Sequence, residues 1–145
     1  MGANLALALA ALPHGTEFRF VDRLLALDAG RSATGEYRVR GDEAFLRGHF
    51  PGQPLFPGVL LVEAVAQLAG IVAQTDPVFG PMAELRLTAL KGMKIEGSAR
   101  PGEVIQLEAR LTGRLGNLVQ SDVVARVAGK VVLRGALTLS GQSQS

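Results

Sequence analysis

The sequence predicts an α+β domain in which one antiparallel sheet is wrapped around a central buried helix. Three observations lead there. Gly58 to Ala73 is a run of 16 residues that is apolar on every face except at Glu63 and Gln67, and a helix of that composition is buried all round. The segments flanking it, two before and four after, carry the alternation and the β-branched and aromatic residues of strands. No other surface in the chain could bury the whole helix, so the strands must form one sheet around it.

The elements follow in order. Met1 to Leu12 is apolar and alanine-rich; with no Lys or Arg ahead of the apolar run it reads as a short packed helix rather than a secretion signal. Phe18 to Leu27 is a strand closed by the turn Asp28-Ala29-Gly30, and Ser32 to Arg40, with Thr34, Tyr37 and Val39, is its partner. Asp42 to Phe45 suits a single helical turn. Prolines 51, 54 and 57 then exclude both helix interior and central strand, which makes residues 48–58 a rigid loop. The helix that follows is about 24 Å long at 1.5 Å per residue. Beyond Pro77 to Pro81, four strands are expected: Ala83 to Ile95, Glu103 to Leu111, Leu118 to Val127 and Val131 to Leu139. Ala128-Gly129-Lys130 serves as a tight turn between the last two. Residues 1–140 form a single domain, long enough to bury about two thirds of its unfolded surface, and 141–145 read as a disordered tail.

Composition removes several functions. The chain has no cysteine, so disulfides, thiolate metal sites and cysteine nucleophiles are unavailable. Two histidines make a zinc site improbable, and no metal is expected. A net charge of +2 without any run of Lys or Arg does not suit a nucleic-acid binder. The central apolar stretch falls short of the ~20 residues that span a bilayer, so a soluble cytoplasmic protein is expected, with no membrane partner. Ser32, Ser98, Ser121 and Ser140 lack a nucleophile-elbow context, and Gly-rich phosphate loops are absent.

The chemistry concentrates in residues 48–67, Gly-His-Phe-Pro-Gly-Gln-Pro-Leu-Phe-Pro-Gly-Val-Leu-Leu-Val-Glu-Ala-Val-Ala-Gln. Glu63 is the only charged side chain between Arg47 and Asp76, and a lone carboxyl in an apolar helix must be paired, protonated or facing a cavity. It could equally bridge to a basic residue across a subunit interface. Gln67, one turn on and on the same face, either orients that carboxyl or satisfies a neighbouring backbone. His49 in isolation reads as a structural donor; set against Phe50 and Pro51 it becomes a neutral imidazole able to act as a base. Gly58 opens the helix where N–H groups and the positive dipole end face outward, a setting that stabilises charge developing on a thioester carbonyl. His14 has no acidic or nucleophilic neighbour in sequence and reads as structural.

This segment resembles the β-hydroxyacyl-[acyl-carrier-protein] dehydratases of type II fatty-acid synthesis, the FabZ kind, which have the hot-dog fold. Gly48 to Gln67 reproduces the family's Gly-His-Phe-Pro-Gly-x-Pro-x-x-Pro-Gly-Val-Leu-x-x-Glu-Ala-x-Ala-Gln motif, with histidine and glutamate 14 positions apart. Leu12-Pro13-His14, Val21-Asp22-Arg23 and Pro101-Gly102-Glu103 extend the likeness over most of the chain. The resemblance implies reversible dehydration of a 3-hydroxyacyl thioester to the trans-2-enoyl thioester. His49 would be the base, Glu63 the acid, Gly58 the carbonyl-binding N–H and Gln67 the holder of Glu63, with Phe50, Phe56, Val59 and Leu60 walling an acyl tunnel. It implies no cofactor beyond the substrate's phosphopantetheine arm. It further implies acyl carrier protein as partner and a homodimer with sites shared between subunits, with a hexamer built as a trimer of dimers. The sequence departs from the family at Lys94 to Arg100, where Glu96 and Gly97 replace expected basic residues, and at Arg86, which stands near an expected tyrosine. Arg86, Lys91, Lys94 and Arg100 are the remaining candidates for an acidic carrier. A hot-dog acyl thioesterase and a non-catalytic acyl-binding subunit are the competing readings.

Overall fold

The computed structural model describes residues 2–10, 12–13, 18–48 and 55–142. Helix α1 (Gly2–Ala10) precedes strands β1 (Arg23–Asp28) and β2 (Ser32–Arg38), a short helix α2 (Ala44–Gly48), the long helix α3 (Gly58–Gln74), and strands β3 (Ala83–Ile95), β4 (Val104–Leu115), β5 (Leu118–Val127) and β6 (Lys130–Gln142). The six strands form one sheet in the order β1-β2-β4-β5-β6-β3, every pair antiparallel.

Alternation on the strands creates the surface that receives α3. On β4 the buried residues are Ile105, Leu107 and Ala109, and on β5 they are Val119, Ser121, Val123, Ala125 and Val127. Of these, Ile105, Leu107, Ala109, Val123, Ala125 and Val127 join Leu61, Ala64, Val65, Leu68 and Val72 of the helix in one core cluster. Tight hairpins fix the register: Ala128 and Gly129 both take positive φ, 52° and 80°, as a two-residue hairpin loop requires. The β1–β2 turn is fastened to the helix by the Gly30 N–H, which donates to the Val72 carbonyl at 3.1 Å.

Several element ends differ from expectation, among them β2, which stops at Arg38, and β4, which continues to Leu115; three differences bear on the site or the chain end. The first strand begins at Arg23 rather than Phe18, because the backbone of Phe18 and Phe20 is bonded to the side chain of Gln67 instead of to a neighbouring strand. The expected disordered tail is corrected at its start: β6 runs through Gly141 and Gln142. Gly141 donates its N–H to the Asn117 carbonyl and accepts from Asn117 Nδ2 at 2.6 Å. Residues 143–145 lie outside those described. Finally, α3 is not buried on every face within one chain, since Glu63, Gly70 and Gln74 are only partly covered.

Candidate active site

Gln67 organises the site. It is 2% exposed, and its two amide ends are assigned by the backbone they meet. The Phe20 N–H, 2.8 Å away, requires an acceptor and takes Oε1; the Phe18 carbonyl, also at 2.8 Å, requires a donor and takes Nε2. The second Nε2 hydrogen is thereby aimed at Glu63 Oε2, 3.1 Å away and one turn back. An amide with both ends fixed is a rigid support for a carboxylate. Both sequence readings of Gln67 therefore hold together: it satisfies backbone groups and it orients Glu63.

Glu63 is partly buried and borders a cleft of about 710 Å³ between α3 and β3. The α3 side supplies Glu63, Ala66, Gln67, Gly70, Ile71 and Gln74; across from them stand Met82, Glu84, Leu85, Arg86 and Leu87 of the β3 side, with Leu139 of β6. Most of this wall is aliphatic, so a carboxyl at its margin sits where an apolar substrate would lie. A larger cleft, about 850 Å³, covers β1, β2, β4 and β5; of its four charged residues Arg110 faces Asp122 at 3.6 Å and Glu108 is paired with Arg126 at 2.7 Å, while Asp28 stands at the end of β1.

The other expected site residues divide. His49 and Phe50 lie outside the described residues. Gly58 opens α3 behind Pro57, and a Cβ there would come within 3.0 Å of Ile95 Cδ1, so the helix start lies close against the Ile95 side chain of β3. Phe56, expected on a tunnel wall, is instead core: 1% exposed, with ring centroids 5.5 to 5.8 Å from those of Tyr37, Phe45 and Phe20. Its N–H donates to the Ala99 carbonyl at 2.8 Å, which anchors the entry to α3. Val59 is 73% exposed and Leu60 packs partly against the core; neither borders the cleft of its own chain. The walls that are there, Ala66, Gly70, Ile71 and Gln74, follow Glu63 at three, seven, eight and eleven residues, a helical period that the sequence carried.

The four residues weighed as carrier contacts are all exposed, with Arg86, Lys91 and Lys94 on β3 and Arg100 in the loop beyond it. Glu96, which departs from the expected basic pattern, is paired with Arg134 Nε at 3.2 Å. Arg134 in turn is the cross-strand neighbour of Lys94.

A sheet wrapped on one helix, with an acid braced inside a cleft, defines a class: residues 12–136 match the family model of the FabA-like domain. Among curated relatives, a 3-hydroxyacyl-[acyl-carrier-protein] dehydratase FabZ of Moorella thermoacetica is 41% identical over 111 residues, covering 72% of this chain and 75% of that protein. One from Roseiflexus castenholzii is 36% identical over 135 residues, covering 92% and 93%. The chain belongs to this FabZ-type dehydratase family. Among solved structures, the dehydratase heterocomplex ApeI:P from Xenorhabdus doucetiae superposes with a TM-score of 0.76 at 15% identity, covering 92% of this chain and 89% of that one. Cj0977, a sigma28-regulated virulence protein from Campylobacter jejuni, does so with a TM-score of 0.71 at 14% identity, covering 99% and 94%. These two likenesses carry the hot-dog fold alone. No helix among the described residues is long and apolar enough to cross a membrane.

Proposed function

We propose that the chain catalyses the reversible dehydration of 3-hydroxyacyl-[acyl-carrier-protein] to the trans-2-enoyl thioester, as a cytoplasmic homodimer or a trimer of such dimers. Each site takes His49 from one subunit and Glu63 from the other. The observation that carries the reading is the Glu63 carboxyl, braced by Gln67 at the margin of an aliphatic cleft.

In the forward direction His49 removes a proton from the carbon next to the thioester carbonyl. The electron pair released forms the double bond to the β-carbon, and the β-hydroxyl departs with a proton from Glu63 as water. One proton is taken and one delivered, so the step balances without a redox partner, and the pantetheine arm is the only prosthetic group it needs. Charge gathering on the thioester oxygen is met by the N–H of Gly58, the first residue of α3, ahead of the bonds that the Leu60 and Leu61 N–H groups make to the Pro57 carbonyl. Lys91, Lys94 and Arg100 offer positive charge to an acidic carrier, and pairing with Arg134 offsets the charge of Glu96.

The test is hydration of a trans-2-enoyl chain on acyl carrier protein, followed by mass spectrometry with free thiol monitored. His49→Ala and Glu63→Gln are each expected to stay folded and to lose two to four orders of magnitude of activity, roughly what removal of a general acid or base costs. Activity that survives both substitutions would sink the assignment, and release of free thiol in place of a water adduct would mark a thioesterase.

A further inference from the structure

The cleft beside Glu63 has a direction. On α3 it is bordered by Glu63, Gly70 and Gln74 but by no residue before Glu63, so it runs from the acid toward the C-terminal end of the helix. That end is closed. Gln74 Nε2 donates to the Met82 carbonyl at 2.7 Å, and the Met82 N–H donates to Gln74 Oε1 at 2.7 Å. This two-point bond ties the last turn of α3 to the residue preceding β3. The Met82 side chain behind it is buried in a small cluster with Ala73 and Val119.

We infer that Gly70 and the Gln74–Met82 clamp set the length of acyl chain this site accepts, with Gly70 keeping the middle of the channel open and the clamp ending it. The inference rests on the dehydratase reading, which places the β-carbon of the substrate at Glu63. Gln74 lies eleven residues beyond Glu63, about 16 Å along the axis, and Gly70 seven residues beyond, about 10 Å. An extended chain advances roughly 1.2 Å per bond, a third of the rise of an extended residue. The clamp therefore lies about thirteen bonds past the β-carbon, giving an upper limit of about sixteen carbons, and Gly70 is passed at about the eleventh carbon.

Gly70 has room for a Cβ. A Cβ there would meet only Leu85 Cδ2, at 3.9 Å, an ordinary contact, and valine is a better helix residue than glycine. The side chain of Gly70→Val would project into the channel and turn out the last three or so methylenes of a 14-carbon chain. Each methylene kept from an apolar channel costs roughly fourfold.

The experiment compares hydration rates of 4-, 14- and 18-carbon trans-2-enoyl chains on acyl carrier protein for wild type, Gly70→Val, Gln74→Ala and His49→Ala, with circular dichroism and oligomeric state checked for each. The 14-carbon to 4-carbon rate ratio is expected to fall about 60-fold in Gly70→Val. In Gln74→Ala, which opens the clamp, the 18-carbon to 14-carbon ratio is expected to rise about tenfold or more. A folded Gly70→Val enzyme whose ratio stays within about twofold of wild type, or which loses all chain lengths equally, overturns the inference while leaving the dehydratase intact. Wild type that hydrates no chain length, and so matches His49→Ala, overturns the dehydratase reading and this inference with it.

Discussion

Tyr37, the single tyrosine of the chain, lies among the core phenylalanines with its hydroxyl at the edge, where it donates to Glu43 Oε2 at 2.7 Å. Burial first, and then the bond to Glu43, pushes this phenol above its ordinary range. Burial works to raise the Glu43 carboxyl, but the hydroxyl of Tyr37 and the N–H groups of Arg40 and Gly41 outweigh it and hold Glu43 below its ordinary value of 4.5. The two shifts act on stability at opposite ends of the pH scale. A depressed carboxyl contributes stability that is present above pH 4.5 and lost as pH falls through the folded-state value; a raised phenol contributes stability present below pH 10 and lost as pH rises beyond it. Tyr37→Phe is expected to lower stability at neutral pH by about 1–2 kcal/mol, the scale of a hydrogen bond to a partly exposed carboxylate. It should also remove the alkaline limb and shrink the acid one. Urea midpoints measured across pH check this, and a variant whose pH profile parallels the wild type would show that the pair does not act as described.

At the scale of elements, Gln67 joins α3 to the segment leading into β1, and this joint also explains what sequence could and could not disclose. Gln67→Leu leaves the N–H of Phe20, a residue 1% exposed, without its acceptor, and frees Glu63 from its donor. It is expected to cost about 2–3 kcal/mol, the penalty of a buried backbone group left unsatisfied, and to lower kcat further by loosening the acid. Hydrogen exchange at the Phe20 amide is the readout, and protection equal to wild type would exclude the tether. The helix, the strand segments before and after it and the Glu63–Gln67 face were legible because they depend on period and polarity within one segment; the order of the strands in the sheet was not. The late start of β1 was not, because Phe18 to Phe20 has the composition of a strand but its backbone is held by a side chain 47 residues away from Phe20. Phe56 was misplaced for a related reason. Its nearness in sequence to Gly58 suggested the site, whereas the space among Phe20, Tyr37 and Phe45 that it fills is made only by the closed sheet.

At the scale of the whole molecule, one long edge of the sheet is left without a neighbour. β3 is a 13-residue strand with a neighbour, β6, on one side only, and a long open edge is a template for pairing with another chain. Leu90 and Ile95 on this strand are each 50% exposed, and Val59, beside the Gly58 that touches Ile95, adds a third exposed apolar side chain. A two-fold pairing of β3 edges would cover them in both subunits at once. It would also bring the helix start of one subunit, with Gly58 and Val59, toward the neighbouring β3, which suits a site assembled from two chains. Leu90→Glu places like charges across that axis and is expected to yield monomers with little activity, as sedimentation and the hydration assay would show. A sharper discrimination comes from mixing inactive His49→Ala with inactive Glu63→Gln. If each site borrows both subunits, free exchange makes half the dimers mixed, each with one intact site of two, and activity should return to about one quarter of wild type. Sites contained within single chains would give no recovery even after subunit exchange has been demonstrated by mass spectrometry, and that result would end the shared-site assignment while leaving the chemistry of His49 and Glu63 to stand or fall on its own.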